Sequence, residues 1–169
     1  MRKILKTIDA ANEWLGERLK WVVLFLMLVI CSEVVMRYVF NHPTSQLPVI
    51  MTWTGTALYS LAFGYVMLHK GHVRVDVLYT RFSDRLKGVM DVILWFVFFL
   101  PAIGSLGYAG FNWMVHAWAT HERSMLTYWY PPMAPVRTIM FIGLVMFFLQ
   151  GLATLFRDLH MAVRSKPYD

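Results

Sequence analysis

Four stretches of the chain are apolar at nearly every position, and the polar residues gather between them. They run from Trp21 to Phe40, Pro48 to Leu68, Val89 to Trp118 and Arg137 to Phe156. About 20 apolar residues let an α-helix cross a hydrocarbon core, so each stretch predicts a membrane span. No formal charge falls from Pro43 through Leu68, nor between Arg137 and Arg157. The third stretch exceeds what a span needs, which predicts a tilted helix or an interfacial turn or two carrying Asn112 and His116. Every backbone polar group in lipid needs an internal partner, and runs of this length provide one as helices. The alternation of period two that barrel strands would show is absent.

Ahead of the first span, Ile4, Leu5, Ile8, Asn12, Leu15 and Leu19 recur mostly at spacings of three or four, the signature of one helical face. The other face carries Arg2, Lys3, Lys6, Asp9, Glu13, Glu17 and Arg18, so this segment is expected to lie on the membrane or to continue the first span as a solvated helix. The first apolar run is of full span length and no small-residue cleavage site follows it, so it is expected to stay in the chain. The predicted fold class is an all-α membrane protein: four transmembrane helices preceded by an amphipathic N-terminal helix. The expected layout is 1–20 amphipathic helix, 21–40 first span, 41–47 loop, 48–68 second span, 69–88 loop, 89–118 third span, 119–136 loop, 137–156 fourth span and 157–169 tail.

Orientation follows from the cations. Arg2, Lys3, Lys6, Arg18 and Lys20 precede the first span; Lys70, Arg74, Arg81, Arg85 and Lys87 fill the second connection; Arg157, Arg164 and Lys166 follow the last span. The first connection has none and the third has only Arg123. Positive segments stay in the cytoplasm, which places both termini and the 69–88 loop inside and the other two loops outside.

Composition supports this picture. Of the 169 residues, 58% are hydrophobic and 15% charged, against about 25% charged in a soluble domain. A soluble chain this short could not hide so much apolar surface. The net charge of +6 would suggest nucleic acid elsewhere, but here the cations flank apolar runs and set topology, so no nucleic-acid partner is expected. Cys31 is the sole cysteine and has no partner for a disulfide or a metal site.

Few residues could carry chemistry. Glu33 and Arg37 sit four apart inside the first span and can pair on one helix face. An acid at that depth is costly and faces protein or water; the favoured reading is a packing pair, the rival one an ion or proton relay. Thr52, Thr56, Ser60 and Gly64 recur every four residues along the second span. They form a small-residue face that admits a neighbouring helix and offers hydroxyls for interhelical bonds. Gly104, Ser105, Gly107, Ala109 and Gly110 make a similar patch on the third.

The six histidines, His42, His69, His72, His116, His121 and His160, lie near span ends or in connections. Haem held between helices needs two facing axial histidines; His69 and His160 fall on one side of the membrane, but nothing in the sequence fixes their distance. His72 and Asp76 have helical spacing, yet two ligands are too few for a metal. There is no glycine-rich phosphate loop and no catalytic constellation, so no catalytic residue, cofactor or metal is expected. In the segment from His121 to Arg137, Tyr128, Trp129 and Tyr130 precede Pro131, Pro132 and Pro135. That pattern fits an interfacial anchor and a stop before the last span, with docking of an exterior partner as the second reading.

Several strings, in this order, resemble the small membrane subunit of the tripartite ATP-independent periplasmic (TRAP) transporters. They are Met36-Arg37-Tyr38-Val39-Phe40-Asn41 closing the first span, Trp53 early in the second, Gly71-His72-Val73-Arg74-Val75-Asp76-Val77-Leu78-Tyr79 after it, and the turn of Trp129, Pro131 and Pro132. The similarity runs from Lys20 to about Asp158. It implies a non-catalytic scaffold in the bacterial inner membrane, partnered by a large membrane subunit that holds the substrate and sodium sites and by a periplasmic solute-binding protein. It also implies roles for Arg37 and Tyr38 at one end of the first span and for His72, Arg74 and Asp76 after the second, where Asp76 could accept a charge-assisted bond from an arginine. Members of the family often carry acids just after the tryptophan of the second span, whereas here the string is Trp53-Thr54-Gly55-Thr56. The Gly71 to Tyr79 string looks closest to branches assigned to keto acids or to mannitol and chloroaromatic compounds, so the implied cargo is an organic acid.

Two other functions fit four spans. One is a haem-bearing membrane anchor of a respiratory oxidoreductase. The other is a homodimeric proton-coupled exporter using Glu33, against which Arg37 four residues on would hold the acid ionised.

Overall fold

The structure is a computed structural model and describes residues 2–69 and 84–164. Its regular elements are α1 (Arg2–Tyr38), α2 (Leu47–Leu68), α3 (Asp84–Leu94), α4 (Leu100–Ala119) and α5 (Ala134–Arg164), with a π-helical stretch, Trp95–Phe99, joining α3 to α4. That stretch leaves α3 and α4 as one rod, so among the described residues four helices are long and apolar enough to cross a membrane. At 1.5 Å per residue, the 37 residues of α1 extend about 55 Å and the 31 of α5 about 46 Å. The 22 residues of α2 extend about 33 Å, close to the hydrocarbon thickness of about 30 Å.

α1 runs without a break from its charged segment into its apolar one. Leu5, Asn12, Leu19, Val29 and Glu33 are buried, and Ile8, Leu15, Val22, Leu26 and Met36 are half-buried between them. These positions step alternately by three and four along the whole helix, the 3.5-residue repeat of a left-handed helix pair. One continuous seam therefore serves both halves, and it meets α2 and, less extensively, α5. α1 ends where Asn41 turns left-handed at φ 52°, a conformation asparagine tolerates, and the His42 N–H reaches the Met36 carbonyl at 2.9 Å.

α5 is the central helix, packed on α2 on one side and on α3 and α4 on another. Glycine permits two of these approaches. A Cβ on Gly143 would collide with the Ser60 backbone, and one on Gly88 would lie 2.8 Å from the Ala162 nitrogen. Aromatic rings fill the remainder: Phe63 meets Phe147 at 5.5 Å, and Phe99 meets the same ring edge-on at 5.2 Å. The Trp95 indole N–H donates a buried bond of 3.0 Å to the Gly151 carbonyl. At the π stretch the Leu100 N–H bonds to the Trp95 carbonyl. This wider turn comes just before Pro101, whose ring cannot share the tighter α geometry with the preceding turn.

α1 and the α3–α4 rod flank the α2–α5 pair, and their outward faces expose Trp21, Phe25 and Leu28 on one side and Phe96, Leu106 and Phe111 on the other. The small-residue patch of the third span divides. Gly110 faces Leu144 inside the chain, whereas Gly104 and Gly107 face open space.

Candidate functional site

Among the described residues, three junctions of polar side chains in the bundle are built on an acid facing an arginine, and a further pair, Glu13 with His69 at 2.8 Å, joins α1 to the end of α2. At the α1–α2 turn, Glu33 is only 4% exposed. Its Oε1 accepts from Arg37 Nη2 at 2.6 Å and Nε at 3.2 Å. Its Oε2 accepts from the Thr44 hydroxyl at 2.5 Å, and Thr44 Oγ1 in turn accepts from the Leu47 N–H opening α2. Helical spacing brings Arg37 to Glu33, and the left-handed turn at Asn41 brings Thr44 back onto the same carboxylate. The result clamps the end of α1 to the start of α2, with Arg37 reaching outward at 48% exposure. Tyr38 beside it is exposed.

A second junction lies at the other end and was not anticipated from sequence. Asn12 and Gln150 are both fully buried. Asn12 Nδ2 donates to Gln150 Oε1 at 2.8 Å and to the Ile8 carbonyl. Gln150 Nε2 donates to Asp9 Oδ1 at 3.0 Å, and Asp9 pairs with Arg157. Gly64 of α2 completes it: a Cβ there would strike Asn12 Oδ1, an oxygen that is buried without a hydrogen-bond partner. The only advance signal was a polar Asn12 on an otherwise apolar seam, because Gln150 is 138 residues away in sequence.

The third junction ties α4 to α5. Arg137 donates to the Trp113 carbonyl at 3.2 Å and to Glu122 Oε1 at 2.5 Å, while the Trp118 indole donates to Thr138. Between them the loop folds back on itself, with Ser124 N–H on the Pro131 carbonyl and Met133 N–H on that of Glu122. Trp129 stands partly exposed on this loop, just ahead of Pro131 and Pro132.

The other sequence candidates do not converge on one place. The hydroxyls of Thr52, Thr56 and Ser60 were expected to bond between helices. Instead they bond to the carbonyls of Pro48, Thr52 and Thr56 on their own helix, because a helical Ser or Thr reaches the carbonyl four residues back. Ser60 and Gly64 still lie at close approaches, to Gly143 and Asn12 respectively. The Trp53 indole nitrogen is buried and lacks a hydrogen-bond partner. His72, Arg74 and Asp76 lie outside the described residues. Among the described residues, no three His, Cys, Asp or Glu side chains group as metal ligands would.

These junctions hold helices to one another. Each acid in them faces an arginine, and the amides pair with one another. Against known proteins, a family model described as "Tripartite ATP-independent periplasmic transporters, DctQ component" matches residues 26–161. No curated protein and no solved structure matches the chain.

Proposed function

Because the chain belongs to the DctQ component family of the tripartite ATP-independent periplasmic transporters, we propose that it is the non-catalytic scaffold of a sodium-coupled importer of organic acids. It is a multi-pass membrane protein and a transporter component. In the proposed role it braces the large membrane subunit, which carries the substrate and sodium sites, while a periplasmic solute-binding protein delivers the cargo. Both termini and the 69–88 loop face the cytoplasm of a bacterial inner membrane, an orientation supported by the cations in those segments.

One observation carries the scaffold role. The buried charged and amide side chains among the described residues, Glu33, Asn12 and Gln150, bond to their own helix, to a neighbouring helix or to the α1–α2 turn, with Asn12 Oδ1 alone of their polar atoms lacking a hydrogen-bond partner. A transport site would aim such groups at a shared cavity instead. Glu33 in particular has both carboxylate oxygens engaged, which suits a clamp better than a group that must release and regain a proton.

Proteoliposomes test this. The chain alone should give no sodium-driven or proton-driven flux, and flux of a labelled organic acid should require the large subunit, the binding protein and this chain together. Proton-driven efflux by the chain alone would replace the scaffold with an exporter centred on Glu33.

A further inference from the structure

The apolar stretches of the four helices do not lie level with one another, and side-chain contacts fix how far they are offset. Trp95 meets Gly151, Phe111 meets Phe141 and Trp118 meets Thr138, so the third and fourth apolar stretches share a midpoint. Ser60 meets Gly143 and Phe63 meets Phe147, which sets the middle of the α2 stretch about five residues, or about 8 Å, toward the α1–α2 turn. Asn12 meets Gln150, and Glu33 meets Thr44 ahead of α2. The middle of the first apolar stretch is therefore shifted about 22 Å the same way relative to α5. The offset grows in one direction across the molecule, from the α3–α4 rod and α5 to α2 and then α1.

We propose that the chain meets the bilayer along an oblique apolar belt and crosses it steeply tilted, with α1 displaced toward the side of the α1–α2 turn. Two to three helix spacings of about 9 Å separate the outer helices, so these offsets correspond to a tilt of roughly 40–50°, at or past the upper end of the range for membrane helices. The exposed surface of α1 supports this independently. In an upright bundle centred on α5, the exposed Glu17, Arg18 and Lys20 would stand in the hydrocarbon beside the apolar middle of α5. The exposed Val34, Val35, Val39 and Phe40 would stand in water. Tilting reverses both placements and brings Trp14 and Trp21, exposed around Arg18, to the headgroup level that tryptophan favours. A 30 Å core crossed at this angle needs roughly 26 to 31 residues; α1 and the α3–α4 rod exceed that, α5 is about that long, and α2, with 22 residues, is shorter. The inference rests only on the chain spanning a membrane, whatever its partners carry.

The native Cys31, exposed on α1, is a built-in depth probe. In the oblique placement it lies near the bilayer centre and position 17 lies at the water boundary; in the upright one the two exchange environments. The test uses the full chain with its partners in vesicles opened to reagent on both sides, and a membrane-impermeant sulfonated maleimide, which reacts with a thiolate formed in water. Glu17→Cys in a Cys31→Ser background should label at least roughly tenfold faster than the native Cys31 thiol. Labelling of Cys31, or protection of the thiol at position 17, overturns the oblique placement.

Discussion

At the scale of single residues, the two junctions on α1 differ in what they can tolerate. Glu33→Gln keeps an acceptor for Thr44 but removes the charge facing Arg37. Thermal unfolding of the purified complex should therefore start a few degrees lower, while the assembled fraction transports normally. Loss of coupling with assembly intact would instead make Glu33 a relay. Gln150→Leu removes the acceptor for Asn12 and a donor to Asp9, leaving buried polar groups unmatched, and should cost about 1–3 kcal/mol in detergent unfolding. Adding Asn12→Leu removes the orphaned amide and should restore part of that loss; a double variant no better than the single one would refute the pairing. The Glu33–Arg37 pair was legible from its spacing of four. Thr44 was hidden because its approach depends on the left-handed turn at Asn41, and Gln150 because sequence alone does not specify which faces of distant helices meet.

At the scale of helices, the seam of α1 explains why a charged segment and an apolar one form a single rod. Its first half was visible because polar residues frame Leu5, Ile8, Asn12, Leu15 and Leu19. Past Trp21 nearly every position is apolar, so the repeat continues through Val22, Leu26 and Val29 without contrast to reveal it. The small-residue faces show a related limit: composition marks where helices can approach closely and says little about which glycines face a neighbour. Gly143→Ala should push α2 away from α5 and cost about 1–3 kcal/mol, whereas Gly104→Ala meets open space and should leave the isolated chain's unfolding unchanged or slightly raised. Equal effects at both positions, read by the same melting experiment, would contradict the packing of α2 on α5.

At the scale of the whole molecule, the bundle presents broad apolar outer faces on α1 and on the α3–α4 rod, while its polar groups hold the helices together. Such a body suits a subunit that enlarges and steadies a membrane assembly, with the transport chemistry located in a partner. The most direct test is to purify the tagged chain from its native membrane in mild detergent, identify what accompanies it by mass spectrometry, and record an absorbance spectrum of the same sample. The scaffold account predicts a colourless, stoichiometric complex with one large polytopic membrane protein. A chain recovered alone, or one carrying a haem Soret band, would contradict it.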